Sequence, residues 1–279
     1  TEIECPGYVI DDAMRVITLK ANENMEFVFT NSRMPSLHLT KLSSDGTPLA
    51  GVSFRLSKIE DGTVYLDRTS SSTGEITWEG LEPGVYSLIE TSTVSTHILN
   101  TKETHVELFP GQTSEVVLEN DIRPNLYVYK YDADDHTKPI PNMVFTVRAA
   151  DGHSVDEIKT DSTGKAVLKN ALPGVYEISE KAVPSPYLMD APSQLVTLYP
   201  NRDHSAYFYD HVKPTITVRK ISSVSGDPIP GSKFTVTYAS DNTTTGEIND
   251  LGIYYSGEDG TFTLEHQQAG WYKISELEP

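Results

Sequence analysis

Apolar strand stripes along this chain repeatedly end on a polar residue, at three places and at nearly constant spacing. Lysines close Leu37-x-Leu39-x-Lys41, Leu126-x-Val128-x-Lys130 and Ile216-x-Val218-x-Lys220. Glutamates close Tyr-x-x-x-Glu runs from Tyr86 to Glu90, Tyr176 to Glu180 and Tyr272 to Glu276. An amide or acid closes Phe27-x-Phe29-x-Asn31, Val116-x-Leu118-x-Asn120 and Ala206-x-Phe208-x-Asp210. Strand side chains alternate faces, so each polar residue shares its face with the hydrophobes two and four positions before it. All three kinds are expected to point into a core.

Lys130 follows Lys41 by 89 residues and Lys220 follows Lys130 by 90, and the acceptor-type residues keep the same step. A period of this length marks an array of domains. Each unit holds short strand-like runs between Gly, Pro, Asn and Asp turns, with no amphipathic helix, which predicts an all-β chain of tandem antiparallel β-sandwiches, immunoglobulin-like in general form. In the first complete unit the strands are expected near 37–42, 52–58, 63–68, 75–79, 85–90, 104–108 and 115–120. Pro35, Pro124 and Pro214 each fall four residues after Asn31, Asn120 and Asp210. Joints this short favour an elongated array. The divisions expected are residues 1–33 as the closing part of a repeat, 35–122 and 124–212 as complete domains, and 214–279 as the opening part of a further repeat. Glu2 reads as the counterpart of Glu90. The end fragments are complementary halves of one sandwich, so Asn31 of one copy could meet Lys220 and Glu276 of the next.

A formal net charge of −18 argues against nucleic acid or an anionic lipid surface as partner. Cys5 is the sole cysteine, which excludes an internal disulfide framework. No apolar run is long enough to span a bilayer, so no membrane insertion is expected within this segment. The 8 histidines follow no ligand spacing, and no nucleophile elbow or phosphate loop is present. No metal, cofactor or turnover is expected.

Burial lowers the pKa of lysine and raises that of glutamate. A neutral lysine is a nucleophile, and a protonated glutamate beside an asparagine carbonyl can polarise it and relay protons while ammonia departs. The product is an isopeptide bond between side chains, made once and without an external enzyme. Aspartate as acceptor loses water instead. The alternative for each triplet is a buried ion pair, or a lysine that snorkels to a strand end.

The motifs are specific: a Lys-ended first strand; Gly-x-x-Phe at Gly51–Phe54 and Gly231–Phe234; Leu-x-Pro-Gly-x-Tyr-x-x-x-Glu at Leu81–Glu90 and, with one register change, Leu172–Glu180; and an Asn-ended last strand. Together they resemble the Cna B-type or SpaA-type domain, a prealbumin-like sandwich of Gram-positive surface adhesins and pilins, over essentially the whole chain. The resemblance implies a Lys41–Asn120 cross-link catalysed by Glu90 and a Lys130–Asp210 cross-link under Glu180. Asp210 stands where asparagine is usual, and Asn142 where the glycine before Phe145 is usual. Lys220 with Glu276, and Asn31, belong to repeats whose remaining members are not in the segment. The function implied is a non-enzymatic stalk segment of a bacterial cell-surface protein, anchored to the wall through a region outside this chain, with neighbouring repeats as partners. Two alternatives stand beside it: a module that binds a host extracellular-matrix protein or glycan, and an accessory sandwich of a secreted polysaccharide enzyme. Trp271 with Tyr254 and Tyr255 is a candidate sugar platform, and Asp132, Asp134 and Asp135 are read as a solvated acidic turn. Trp78 is expected in the core.

Overall fold

The computed structural model describes residues 5–11, 14–240 and 248–278, so Glu2 lies outside the described residues. A short antiparallel pair comes first, β1 (Tyr8–Ile10) with β2 (Asn31–Arg33). The first complete repeat then runs β3 (Ser36–Ser43), β4 (Ser53–Lys58), β5 (Arg68–Thr69), β6 (Glu75–Trp78), β7 (Gly84–Ser92), β8 (Thr104–Leu108) and β9 (Thr113–Asn120). The second runs β10 (Leu126–Asp132), β11 (Val144–Ala149), β12 (Val155–Lys159), β13 (Lys165–Leu168), β14 (Gly174–Ala182), β15 (Ser193–Leu198) and β16 (His204–Asp210). The third has β17 (Ile216–Arg219), β18 (Lys233–Ala239), β19 (Ile248–Tyr255), β20 (Thr261–Leu264) and β21 (Trp271–Glu278). Among the described residues there is no helix, hence none long and apolar enough to cross a membrane.

Each complete repeat is a sandwich of a three-stranded and a four-stranded sheet: β6-β3-β9 over β5-β4-β7-β8, and β13-β10-β16 over β12-β11-β14-β15. The third has the matching β17-β20 and β19-β18-β21. First and last strands pair in parallel, β3 with β9 and β10 with β16, whereas β3 with β6, β4 with β7, β7 with β8, β10 with β13 and β11 with β14 are antiparallel. The chain therefore enters each sandwich at one end and leaves at the other. By compactness the chain divides into residues 1–125 with 169–173 and 198–203, and residues 126–168 with 174–197 and 204–279.

Strict alternation on β3 buries Leu37, Leu39 and Lys41, while the facing sheet contributes Phe54, Leu56, Tyr86 and Leu88. Each large apolar side chain so enclosed contributes about 1.5–3 kcal/mol relative to exposure. Trp78 belongs to this core. Two expectations need correction. The strand expected at 63–68 is reduced to Arg68–Thr69, with an isolated bridge from Val64 to Ser57. Phe27, Val28 and Phe29 form no strand and are exposed, because no described strand pairs with residues 14–30 to give their alternating hydrophobes an opposing sheet.

Candidate functional site

The backbone of each lysine is fixed in the same way. Lys41 N–H donates to Gly74 O (2.7 Å) and its carbonyl accepts from Leu49 N–H (2.9 Å); Lys130 does the same with Gly164 and Ile140, and Lys220 with Gly260 and Ile229. The three glycines have φ between +72° and +79°, and a Cβ on any of them would overlap the lysine carbonyl oxygen. Only glycine allows both the left-handed backbone and that approach. Their recurrence was visible in the sequence as Gly74, Gly164 and Gly260, but sequence reasoning did not connect them to the lysines.

The glutamates are aimed by a β-bulge. Phe54 pairs with Glu90, Phe145 with Glu180 and Phe234 with Glu276, and in each case the register shifts immediately before the phenylalanine. A bulge adds a residue to one strand and redirects the side chains beyond it. The Gly-x-x-Phe motif thus supplies the bulge opposite the glutamate. Its glycines have φ +80° at Gly51 and +77° at Gly231, and Asn142 takes φ +65° in the same place. Asparagine is among the few other residues that tolerate this conformation, so the departure is accommodated.

Parallel register places Lys41 opposite Leu118 and Asn120 opposite Ser43, one pleat further along the same face. The long lysine side chain crosses that diagonal. Lys41 Nζ donates to Asn120 Oδ1 at 2.6 Å and lies 3.4 Å from Glu90 Oε2, while Asn120 Nδ2 donates to Glu90 Oε1 at 2.6 Å and to Thr93 Oγ1 at 2.9 Å. Relative exposure is 0% for Lys41, 5% for Glu90 and 1% for Asn120. Burial pushes the Lys41 ammonium pKa down more than Glu90 pulls it up. The expected hydrogen bond from Glu90 to the asparagine carbonyl is replaced by one from the amide nitrogen to Glu90. A surface pocket of about 390 Å³, lined by Asn100, Lys102, Glu119 and Asp121, reaches Asn120.

In the second sandwich Lys130 Nζ is 2.5 Å from Glu180 Oε1 and 2.6 Å from Asp210 Oδ1, all three enclosed. Burial raises the Glu180 carboxyl pKa more than Lys130 lowers it. Where the first repeat has Thr93 to accept from the asparagine nitrogen, the second has Val183, which suits an acceptor without an N–H.

The third pair is less enclosed. Lys220 Nζ is 2.9 Å from both Glu276 oxygens, but the side chains are 24% and 34% exposed, correcting the expectation that this glutamate points into a core. No described strand occupies the place of β9 or β16 beside β17. Asn31 lies on β2, opposite Ile10.

Other expectations change. Trp271 pairs with Ala239 and Tyr255 with Lys233, at opposite ends of β18, roughly 20 Å apart at strand rise. Tyr254 packs on the core beside Phe262, so no sugar platform forms there. Asp132 is not solvated: it is buried, accepts from Asp134 N–H and Asp135 N–H, and takes a hydrogen bond from Lys138 Nζ at 3.1 Å. No group of His, Cys, Asp or Glu suited to a metal occurs among the described residues. A feature that sequence reasoning passed over is the tyrosine-rich outer face of the second sandwich. Tyr129 stacks on Tyr207 at 5.0 Å and on Tyr131 at 6.4 Å, and Lys165 Nζ lies 4.1 Å above Tyr127.

Comparison with proteins of known structure finds partial likeness to the Bacillus anthracis TIE protein, at 23% identity over 88% of this chain and 45% of that one, with TM-score 0.39. The shaft pilin SpaA of Lactobacillus rhamnosus GG matches at 16% identity over 64% and 98% of the two chains, TM-score 0.41. GBS52, the minor pilin of Streptococcus agalactiae, matches at 17% over 67% and 99%, TM-score 0.38. This chain thus spans less than half the length of the TIE protein chain. Comparison with curated proteins found no match. The SpaA prealbumin-like fold domain is matched at residues 35–122, 124–210 and 214–279. With most of its length so matched, and with every match carrying the Lys-ended first strand and the bulge-aimed glutamate, the chain belongs to the SpaA prealbumin-like domain family.

Proposed function

We propose that this chain is a stalk segment of a bacterial cell-surface adhesin or pilus-like protein, whose complete sandwiches close themselves with Lys41–Asn120 and Lys130–Asp210 isopeptide bonds. The observation that carries this reading is the first triplet: one carboxylate, Glu90, touches both the attacking nitrogen and the leaving nitrogen inside a closed core. Holding reactants in contact away from water removes much of the entropic barrier to amide formation. Glu276 and Lys220 form the corresponding relay and nucleophile in the third repeat, and Asn31 is the acceptor of the repeat before the first. The protein is anchored through a region outside this chain.

Glu90 takes a proton from the Lys41 ammonium through Oε2. The freed amine attacks Asn120 Cγ, and charge collects on Oδ1. Proton transfer through Oε1 onto Nδ2 then expels it. Of the three ammonium protons, one stays on the new amide and two leave on the departing nitrogen, which exits as ammonium through the pocket beside Asn120. Glu90 ends as a carboxylate, as it began, so nothing turns over. In the second sandwich Glu180 relays protons between Lys130 and Asp210, and water leaves.

The bonds would tie the first strand of each sandwich to the last. Force entering at β3 and leaving at β9 pulls that parallel pair in shear, and the tie carries it past the intervening fold. Intact mass of freshly folded protein tests the reading: it should lack one ammonia and one water, and a digest should contain Lys41–Asn120 and Lys130–Asp210 peptides. An unmodified mass with no branched peptide refutes it.

A second reading, recognition of a host glycoprotein or glycan, has one observation in its favour, the tyrosine face of β10 and β16. Glycan-array and matrix-protein binding that disappears in a Tyr129→Ser, Tyr207→Ser variant would support it. A silent array leaves the stalk reading alone.

A further inference from the structure

The two complete sandwiches differ in what lies over the acceptor. Ten residues after each catalytic-position glutamate comes Asn100 in the first and Asp190 in the second, and the residue after each acceptor is Asp121 or His211. In the first, Asn100 N–H points at Glu90 Oε1, at 3.3 Å. In the second, Asp190 N–H donates to the acceptor itself, Asp210 Oδ1, at 3.1 Å. The Asp190 carboxylate is in turn held by His211, through the backbone N–H at 3.0 Å and Nδ1 at 2.5 Å, both onto Oδ2. Asp210 Oδ1 thus meets Lys130 Nζ and Asp190 N–H, whereas the buried Oδ2 has no hydrogen-bond partner among the described residues.

We propose that Asp190 and His211 form a positioning clamp for the second cross-link, holding the Asp190 backbone N–H where it stabilises the negative charge that develops on Asp210 Oδ1 as Lys130 attacks. This rests on the reading of Lys130 and Asp210 as a cross-linking pair. Protonated Glu180 gives its proton to Asp210 Oδ2 and takes one from the Lys130 ammonium; the freed lone pair adds to Asp210 Cγ and the carbonyl pair moves onto Oδ1. A second proton from Nζ follows the same route to Oδ2, which leaves as water while the carbonyl re-forms, and Glu180 returns to its protonated state. An N–H fixed before reaction at the oxygen that gains charge is the arrangement that lowers such barriers. Asparagine in the first sandwich expels ammonia instead, and its loop donor serves the glutamate.

His211 is faced by Asp190 from the loop after β14 and by Asp134 from the turn after β10, Asp134 Oδ1 being 3.8 Å from Nε2, while the charge of Asp132, at the end of β10 and paired with Lys138, also acts on it. The Asp190 hydrogen bond, with these acids, raises the imidazole pKa above its ordinary 6.5. The clamp is therefore charged and at full strength below the ordinary value, and weakens as pH rises through the raised one.

The test follows newly made full-length chain, produced by cell-free synthesis, quenched at intervals in acid denaturant and weighed intact and after digestion. Asp190→Ala should slow loss of water from the second sandwich by about tenfold, less than the 10²–10³ of deleting an oxyanion donor outright. Loss of ammonia from the first sandwich should keep its wild-type rate. Asp190→Asn, which retains an oxygen for the His211 N–H, should recover part of the rate. The ratio of wild-type to Asp190→Ala rates should narrow as pH rises past the His211 pKa, and His211→Gln should abolish that narrowing. Equal rates in wild type and Asp190→Ala overturn the clamp, as does equal slowing of both bonds, which would place the defect in folding. If wild type closes its first bond and never loses water, the Lys130–Asp210 reading itself has failed, and the clamp with it.

Discussion

Glu90→Gln should do more harm than the loss of one proton relay suggests, and two separable terms set its size. Without the relay the Lys41–Asn120 bond does not form, and the chain between them is no longer closed into a loop of about 80 residues, worth about 4.5 kcal/mol in the chain-entropy relation used for disulfides. The same change leaves the Lys41 ammonium, at 0% exposure, with no carboxylate beside it. Removing one partner of a buried ion pair destabilises by about 3–5 kcal/mol. The Glu90→Gln chain should therefore lose about 8 kcal/mol in its first sandwich. Adding Lys41→Met removes the stranded charge and should recover the second term while leaving the first. Trp78, buried in this sandwich, reports its unfolding by emission, and the other tryptophan, Trp271, is already 56% exposed. At about 4–8 °C per kcal/mol for a domain of this size, the double variant should melt on the order of 20–35 °C below wild type and well above Glu90→Gln. A Glu90→Gln chain that still lacks one ammonia, or a double variant that melts with wild type, would refute the reasoning.

Two further outcomes follow from the same geometry. Asp210→Asn should still close the second sandwich, but with loss of ammonia in place of water, and intact mass distinguishes the two leaving groups. The two bonds should also respond oppositely to pH, read by mass in newly synthesised chain. Burial lowers the Lys41 pKa from 10.5, so more of the nucleophile is neutral as pH rises and ammonia loss quickens up to that lowered value. Burial raises the Glu180 pKa from 4.5, so its proton persists above that pH and is lost as pH climbs through the raised value, which slows water loss.

Periodicity alone carried much of this protein. The alternation Leu37-x-Leu39-x-Lys41 put the lysine on the core face because a strand has only two faces, and the near-90-residue step fixed the repeat of sandwiches. Lys41, Glu90 and Asn120, and Lys130, Glu180 and Asp210, were each legible as groups because a polar residue in an apolar stripe stands out against its own pattern. Sequence could not show that first and last strands pair in parallel, since strand direction is a property of the assembled sheet; that pairing puts lysine and acceptor one pleat apart. Nor could it show that Gly74 lies against the Lys41 carbonyl, that Phe54 sits at a bulge opposite Glu90, or that Asp190 N–H reaches Asp210, because these contacts join segments far apart in the chain. The same limit misjudged Phe27 and Phe29, whose alternation matches a core strand but has no described sheet to complete. It also misjudged Asp132, which accepts from Lys138 Nζ and, at 3.3 Å, from the Tyr187 hydroxyl, partners brought together only on folding. Local pattern decides which face a residue takes; what waits on that face is decided by the tertiary structure.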